Sequence, residues 1–235
     1  MTKKLNIALI GCGGWGKNIA RNLHQIGALA CIYDSDQNLS KKLNQDFKLH
    51  DYTINDIFRN ENIQALVIAS SAKTHRDIAE EALKNNKDVL IEKPFCLSTN
   101  DAITLSKLAV KKNKVLMAGH LLNYHNAFIK MQDLIREGKI GETKNIRAQR
   151  LALGAIRSHE SVIYDLAVHD VSMILAIMQE LPVKINAHSI HHNTNIGPDA
   201  VSVKLTFKTG ATALISCDWM CPYKEHKFSV IGSKG

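Results

Sequence analysis

The sequence predicts an α/β chain, in which a doubly wound parallel sheet is followed by an α+β domain with a largely antiparallel sheet. Three observations carry that expectation. Short apolar runs alternate with helical patterns from residue 5 to residue 118, the order that builds a parallel sheet covered by helices. The first run passes without a break into a glycine turn and then into a helix. Beyond Gly119 the texture changes, and from residue 184 onward successive segments alternate polar and apolar residues across short turns, as antiparallel strands do. The expected division is therefore 1–119 and 120–235.

Residues 7–10 form the first strand, Gly11-Cys12-Gly13-Gly14-Trp15-Gly16 the turn, and Ile19, Ala20 and Leu23 share one side of the helix that follows. Gly11, Gly13 and Gly16 satisfy G-x-G-x-x-G, with Gly11 permitting the turn, Gly13 letting backbone approach a pyrophosphate and Gly16 bringing helix close to strand. The helix N-terminus adds unpaired N–H groups and a partial positive charge. The pattern alone is weak, because glycine turns open other α/β folds too. Its context strengthens it: the run 28–33 ends in Asp34, about 20 residues downstream, where a dinucleotide fold places the acid that takes the ribose hydroxyls. A Rossmann domain that binds NAD is therefore expected over 1–119. Asp34 repels a 2′-phosphate, and Tyr33-Asp34-Ser35-Asp36 offers no arginine to hold one, which favours NAD over NADP.

Next come a helix over 35–46, a brief strand at 48–50, a short helix at 54–58 and a buried strand at 63–70, ending in Ser70-Ser71-Ala72-Lys73-Thr74-His75. A helix over 77–85 leads to a strand at 88–91 that stops at Glu92-Lys93-Pro94, and Ser98 caps a helix over 101–112 before the strand 115–118. Ligands of such sheets sit at the carboxyl ends of the strands. Cofactor contacts are accordingly expected from Gly11, Cys12, Gly13, Gly14, Trp15, Gly16, Asp34, Ser70, Ser71, Thr74, His75, Glu92, Lys93 and Pro94.

The second half reads as a helix over 125–137, a strand over 142–153, a helix over 160–178, and strands at 184–191, 200–208, 211–218 and 225–231, with Lys208-Thr209-Gly210 as a hairpin turn. A strand followed at once by a turn is an odd place for a domain to stop; either the sheet is complete there or the sequence is cut short.

Composition narrows the function. With 235 residues and 45% apolar content the chain can bury a real core. Its net charge of +8 raises nucleic acid as a partner, yet the lysines spread over predicted helix surfaces without interleaved aromatics. A solvated basic surface, or a small polyanion such as a nucleotide-sugar, fits the charge better. No apolar stretch approaches the roughly 18 to 20 residues that cross a bilayer, and the first apolar run leads into the glycine turn rather than a cleavage site, so a soluble cytoplasmic protein is expected. Five scattered cysteines read as reduced thiols, and Cys217 and Cys221 are too few for a zinc site, so no metal is expected.

Two places carry chemistry. Lys93, at the end of a central strand, is set to aim an ammonium into the crevice and favour an alkoxide; the alternative is an exposed turn lysine. Asp165 and His169 stand four apart on an otherwise apolar helix and so share a face. The histidine is suited to accept the proton an alcohol loses on oxidation and the carboxylate to orient the ring; a surface ion pair is the bland alternative.

In chain order the glycine turn, Glu92-Lys93-Pro94 and Asp165-x-x-x-His169 resemble the Gfo/Idh/MocA oxidoreductase family. The resemblance covers essentially the whole chain and implies an NAD(P)-dependent sugar dehydrogenase whose C-terminal sheet serves homo-oligomerisation. It maps Lys93 onto the catalytic lysine, His169 onto the acid/base histidine and Asp165 onto the substrate-side aspartate. It also implies that the family pattern continues beyond Gly235. A narrower likeness lies in residues 119–125, Arg150-Leu151 with residues 154–157, residues 167–170 and residues 224–227, which look like the branch that oxidises C3 of UDP-N-acetylglucosamine or its uronic acid in polysaccharide synthesis. Asn126 and Val168 depart from that branch, which usually has proline at the first position and commonly at the second. His120 and Arg157 are then candidates for the substrate's diphosphate or uronate. The rival readings are a regulator that senses a dinucleotide without turning it over and an inactive fragment of a dehydrogenase.

Overall fold

A computed structural model describes residues 5–153, 161–191 and 197–235. The chain forms two compact units, Met1–Gly119 and His120–Gly235. In the first, β1 (Ile7–Ile10), β2 (Leu29–Tyr33), β3 (Ala65–Ile68), β4 (Asp88–Ile91) and β5 (Leu116–Ala118) make one parallel sheet in the order β2-β1-β3-β4-β5. These strands are apolar along most of their length because helices cover both faces: Ile10, Leu66, Ile68 and Ile91 pack in one core cluster, and Leu9, Ile32 and Val67 in the other. The helices are α1 (Gly16–Gln25), α2 (Gln37–Asp46), α3 (Ile54–Arg59), α4 (Ala72–Lys84) and α5 (Thr99–Lys112).

Their starts are written in side chains. Asp36 accepts from the N–H groups of Asn38 and Leu39 ahead of α2, Thr53 and Asp56 form a reciprocal box ahead of α3, and the Ser98 hydroxyl accepts from Asp101 N–H in the first turn of α5. Two expectations shift. Residues 48–50 form no strand: Lys48 sits in the left-handed region at φ 57°, which breaks an extended ladder. Helix α4 starts at Ala72 and not at residue 77, since Ser71 is still extended and the next residue turns helical. Thr74 and His75 therefore lie in its first turn, not in a loop.

The second unit opens with a 3₁₀ turn, Leu121–Tyr124, and α6 (Asn126–Arg136). Its sheet runs β10-β6-β9-β8-β7, with β6 (Thr143–Leu151), β7 (Lys184–Ile190), β8 (Ala200–Thr206), β9 (Thr212–Asp218) and β10 (Glu225–Gly232). Every pairing is antiparallel except β6 with β9. One face carries Ile146, Ala148, Val201, Leu205, Ala213 and Ile215 into a core shared with Val162, Ala167 and Ile174. The helix expected over 160–178 is not uniform. A π-helical turn, Ile163–Ala167, precedes α7 (Val168–Met178), and a single π turn inside a helix frequently marks a functional position.

Candidate functional site

In the first unit the chain leaves β1, pairs β2 on one side of it and then returns to β3 on the other, so the strand order reverses between β1 and β3. That reversal is where open α/β sheets hold ligands. A cavity of about 390 Å³ lies there, lined by Gly11, Gly13, Asp34, Ser70, Ser71 and Thr74 among others. Gly11 has φ +91°, and a Cβ on it would come within 2.5 Å of Ser70 backbone nitrogen. A Cβ on Gly16 would come within 2.3 Å of the Gly11 carbonyl oxygen, whereas one on Gly13 would meet nothing within 4 Å. The turn is closed where strand meets helix and open where a phosphate would sit.

Asp34 is built into that turn. Its Oδ2 accepts from the Cys12 N–H at 2.7 Å and its Oδ1 from the Asp36 N–H at 3.0 Å, while Gly11 N–H donates to the Tyr33 carbonyl at 2.8 Å. The carboxylate is thus fixed at the end of β2 beside the glycines. Cys12 offers its backbone only; its thiol is buried, and burial together with the Asp34 charge pushes it up to about 11. On the opposite wall the Thr74 hydroxyl donates to the Ser71 carbonyl at 2.8 Å, which leaves the Ser70 hydroxyl, 2.7 Å away, to donate to Thr74. Gly14 has open space around it, as Gly13 does.

The remaining first-unit residues are arranged as braces around this crevice. Trp15 is half exposed, and its indole N–H donates to Glu92 Oε1 at 3.1 Å. The other Glu92 oxygen accepts from the Lys93 N–H at 3.3 Å, and a Cβ on Gly119 would press within 3.0 Å of the same carboxylate. His75 is buried, with ring nitrogens 2.9 Å from the Pro94 carbonyl and 3.1 Å from the Ser70 carbonyl. It ties the end of β3 to the Lys93-Pro94 turn from below the crevice. A larger cavity, about 650 Å³, lies at the amino end of β4 near Asp88, the end at which such sheets do not bind ligands; Lys87 there spends its ammonium on the carbonyls of Asn60 and Ile63.

In the second unit Asp165 is buried within the π turn, and its Oδ2 accepts from the Trp219 indole N–H at 3.2 Å. His169 is half-buried in the first turn of α7. The next residue, Asp170, is 1% exposed and receives both of its oxygens' hydrogen bonds from Arg150 Nε, at 3.0 and 2.9 Å. Burial pushes Asp170 above the usual carboxylate range and the Arg150 charge pulls it back. His120 is half-buried; its Nδ1, just ahead of the 3₁₀ turn, and the Asn123 Oδ1 within it are buried without a hydrogen-bond partner among the described residues, and burial lowers the His120 pKa. Arg157 lies outside the described residues. No group of three or more potential metal ligands occurs among the described residues, and no helix there is long and apolar enough to cross a membrane.

Sequence reading missed Trp219 and the Arg150–Asp170 pair. Trp219 follows a strand directly and reads as core; Arg150 looks like any polar residue of an alternating strand.

The profile of the oxidoreductase family with an NAD-binding Rossmann fold (GFO_IDH_MocA) matches residues 5–120, and that of the GFO/IDH/MocA C-terminal domain matches residues 128–235. Among relatives, the chain is 23% identical to 2,7-anhydro-N-acetylneuraminate hydratase of Escherichia coli over 98% of its own length and 66% of that protein's. It is 28% identical to UDP-N-acetylglucosamine 3-dehydrogenase of Acidithiobacillus ferrooxidans, over 89% of its length and 65% of that protein's. The chain thus spans about two thirds of the length of these curated relatives. The crystal structure of GenD2 from gentamicin A biosynthesis in complex with NAD superimposes with a TM-score of 0.89 at 23% identity, covering 100% of this chain and 72% of that one.

Proposed function

The chain belongs to the Gfo/Idh/MocA oxidoreductase family, with its NAD-binding Rossmann fold, and from that premise we propose that it oxidises a hydroxyl of a sugar, C3 of a UDP-N-acetylhexosamine or its uronic acid. The observation that carries the reading is Asp34, locked by the Cys12 N–H beside an open glycine turn, where it suits a ribose diol and repels a 2′-phosphate. When bound, NAD supplies a nicotinamide that accepts a hydride.

The chain's own residues divide the rest. Gly13 and Gly14 leave room for a pyrophosphate against the N-terminus of α1. Lys93 polarises the reacting oxygen, and His169 removes its proton as general base. Asp165, held by Trp219, orients the histidine or a neighbouring hydroxyl. His120 and Arg157 contact the substrate; the partnerless Nδ1 of His120 supports the first of these. The open face of the second sheet, where Leu214 and Ile231 are exposed, supports a homo-oligomer.

The test is hydride transfer from UDP-N-acetylglucosamine and from its uronate, followed by absorbance of the reduced nicotinamide. Reduction with either sugar, abolished in His169→Ala, upholds the reading. NAD binding without reduction of cofactor by any sugar or polyol overturns it in favour of a dinucleotide-sensing regulator.

A further inference from the structure

A second cavity, about 360 Å³, lies wholly within the second unit. Its floor is apolar, built from Phe128 and Met131 of α6, Met173 of α7 and Phe228 of β10. Its polar lining is Arg150, His226, Lys227 and His125, with no carboxylate among them. Arg150 and His226 are directly opposed on β6 and β10, which puts their side chains on the same face of the sheet.

Arg150 is held for a task it does not complete. Both hydrogen bonds it makes run from Nε to Asp170, and its two terminal nitrogens donate to nothing among the described residues, although the side chain is only 14% exposed. A guanidinium anchored through Nε by a buried carboxylate keeps a planar pair of N–H groups in fixed orientation, the arrangement that receives a carboxylate or phosphate in bidentate fashion. Burial, joined by the charges of Arg150 and Lys224, holds the His226 imidazole below its ordinary pKa. An apolar floor with a cationic wall suits a molecule with one carbon face and one anionic group.

We infer that Arg150 and His226 form an anion-recognising subsite, so that the sugar carries a carboxylate or a phosphate seated on the Arg150 fork. Asp170 follows His169 in the chain, so the subsite begins in the same helical turn as the proposed base. The inference rests on the sugar-oxidising reading for the identity of the ligand, and on the geometry of the second unit alone for the anion.

Calorimetry on the full chain, saturated with NAD, with four probes tests it: glucuronate, glucose 6-phosphate, glucose, and UDP-N-acetylglucosamine. Removing Arg150 altogether strands the buried Asp170, so the informative variants are Arg150→Lys, which keeps a charge for Asp170 but loses the fork, and His226→Gln on the exposed edge strand. The expected result is a loss of about tenfold or more in affinity for the anionic probes in each variant, the size of one charge-assisted hydrogen bond, with glucose and NAD binding unchanged. Whether glucuronate or the phosphate-bearing probes suffer more tells carboxylate from phosphate. Equal losses for glucose and its anionic analogues, or no loss for either, overturn the subsite. Anion binding that depends on Arg150 without any hydride transfer leaves the subsite standing and sinks the oxidoreductase reading; turnover of anionic sugars with affinity untouched by both variants does the reverse.

Discussion

The glycine turn of the first unit and the π turn of the second each hold a carboxylate in place, by opposite means. At Gly11–Gly16 the working parts are backbone: a left-handed φ, two positions with room, N–H groups and one carboxylate locked at the end of the neighbouring strand. At Ile163–Ala167 the working parts are side chains, each held by a partner distant in sequence: Asp165 by Trp219, and, one residue past His169, Asp170 by Arg150. The lesson is that a site made of backbone is legible in local sequence, whereas a site made of side chains exists only once the sheet has assembled.

Breaking the chemistry of each half gives the largest effect. Lys93→Ala and His169→Ala should each lower turnover by roughly 10²- to 10⁴-fold, the range for a general acid–base group, while fluorescence titration shows NAD binding retained. Sharper for the backbone half is a pair of glycines. Gly11→Ala forces a Cβ to within 2.5 Å of Ser70 backbone at φ +91°, and about 3 kcal/mol of stability or more should be lost in urea unfolding, from backbone strain plus overpacking. Gly13→Ala meets nothing within 4 Å, so it should unfold as the parent does yet bind NAD more weakly. Equal destabilisation by both would mean that the turn is not divided into a closed part and an open part.

The side-chain half is probed by Trp219→Phe, which keeps much of the ring's bulk but removes the indole N–H from the buried Asp165 carboxylate. It should cost about 1–3 kcal/mol, with turnover falling and NAD affinity unchanged. Asp34→Asn, by contrast, should leave turnover with saturating NAD nearly intact and lower the preference for NAD over NADP by about tenfold, the worth of one charge-assisted hydrogen bond.

The smallest expected effect is in pH. Burial lowers the His120 pKa below its ordinary 6.5, so the folded chain binds that proton more weakly than the unfolded one. Its contribution is intact above 6.5 and is lost as pH falls from 6.5 toward the folded value, and His120→Gln should flatten that part of the stability profile in urea titrations run on either side of 6.5.

By itself the sequence determined the parallel sheet, the glycine turn and the acid at the end of β2. Buried strands must be apolar throughout, a left-handed turn needs glycine, and both requirements fall on residues close together in the chain. Tertiary structure decided the rest. The loss of the strand at residues 48–50, the early start of α4, the brace made by His75 and the π turn depend on neighbours that spacing rules do not see. The same holds for the anchors of Asp165 and Asp170: their partners lie 54 and 20 residues away, and nothing local to Trp219 or Arg150 distinguishes them from ordinary core or strand residues until the fold brings them onto a buried carboxylate.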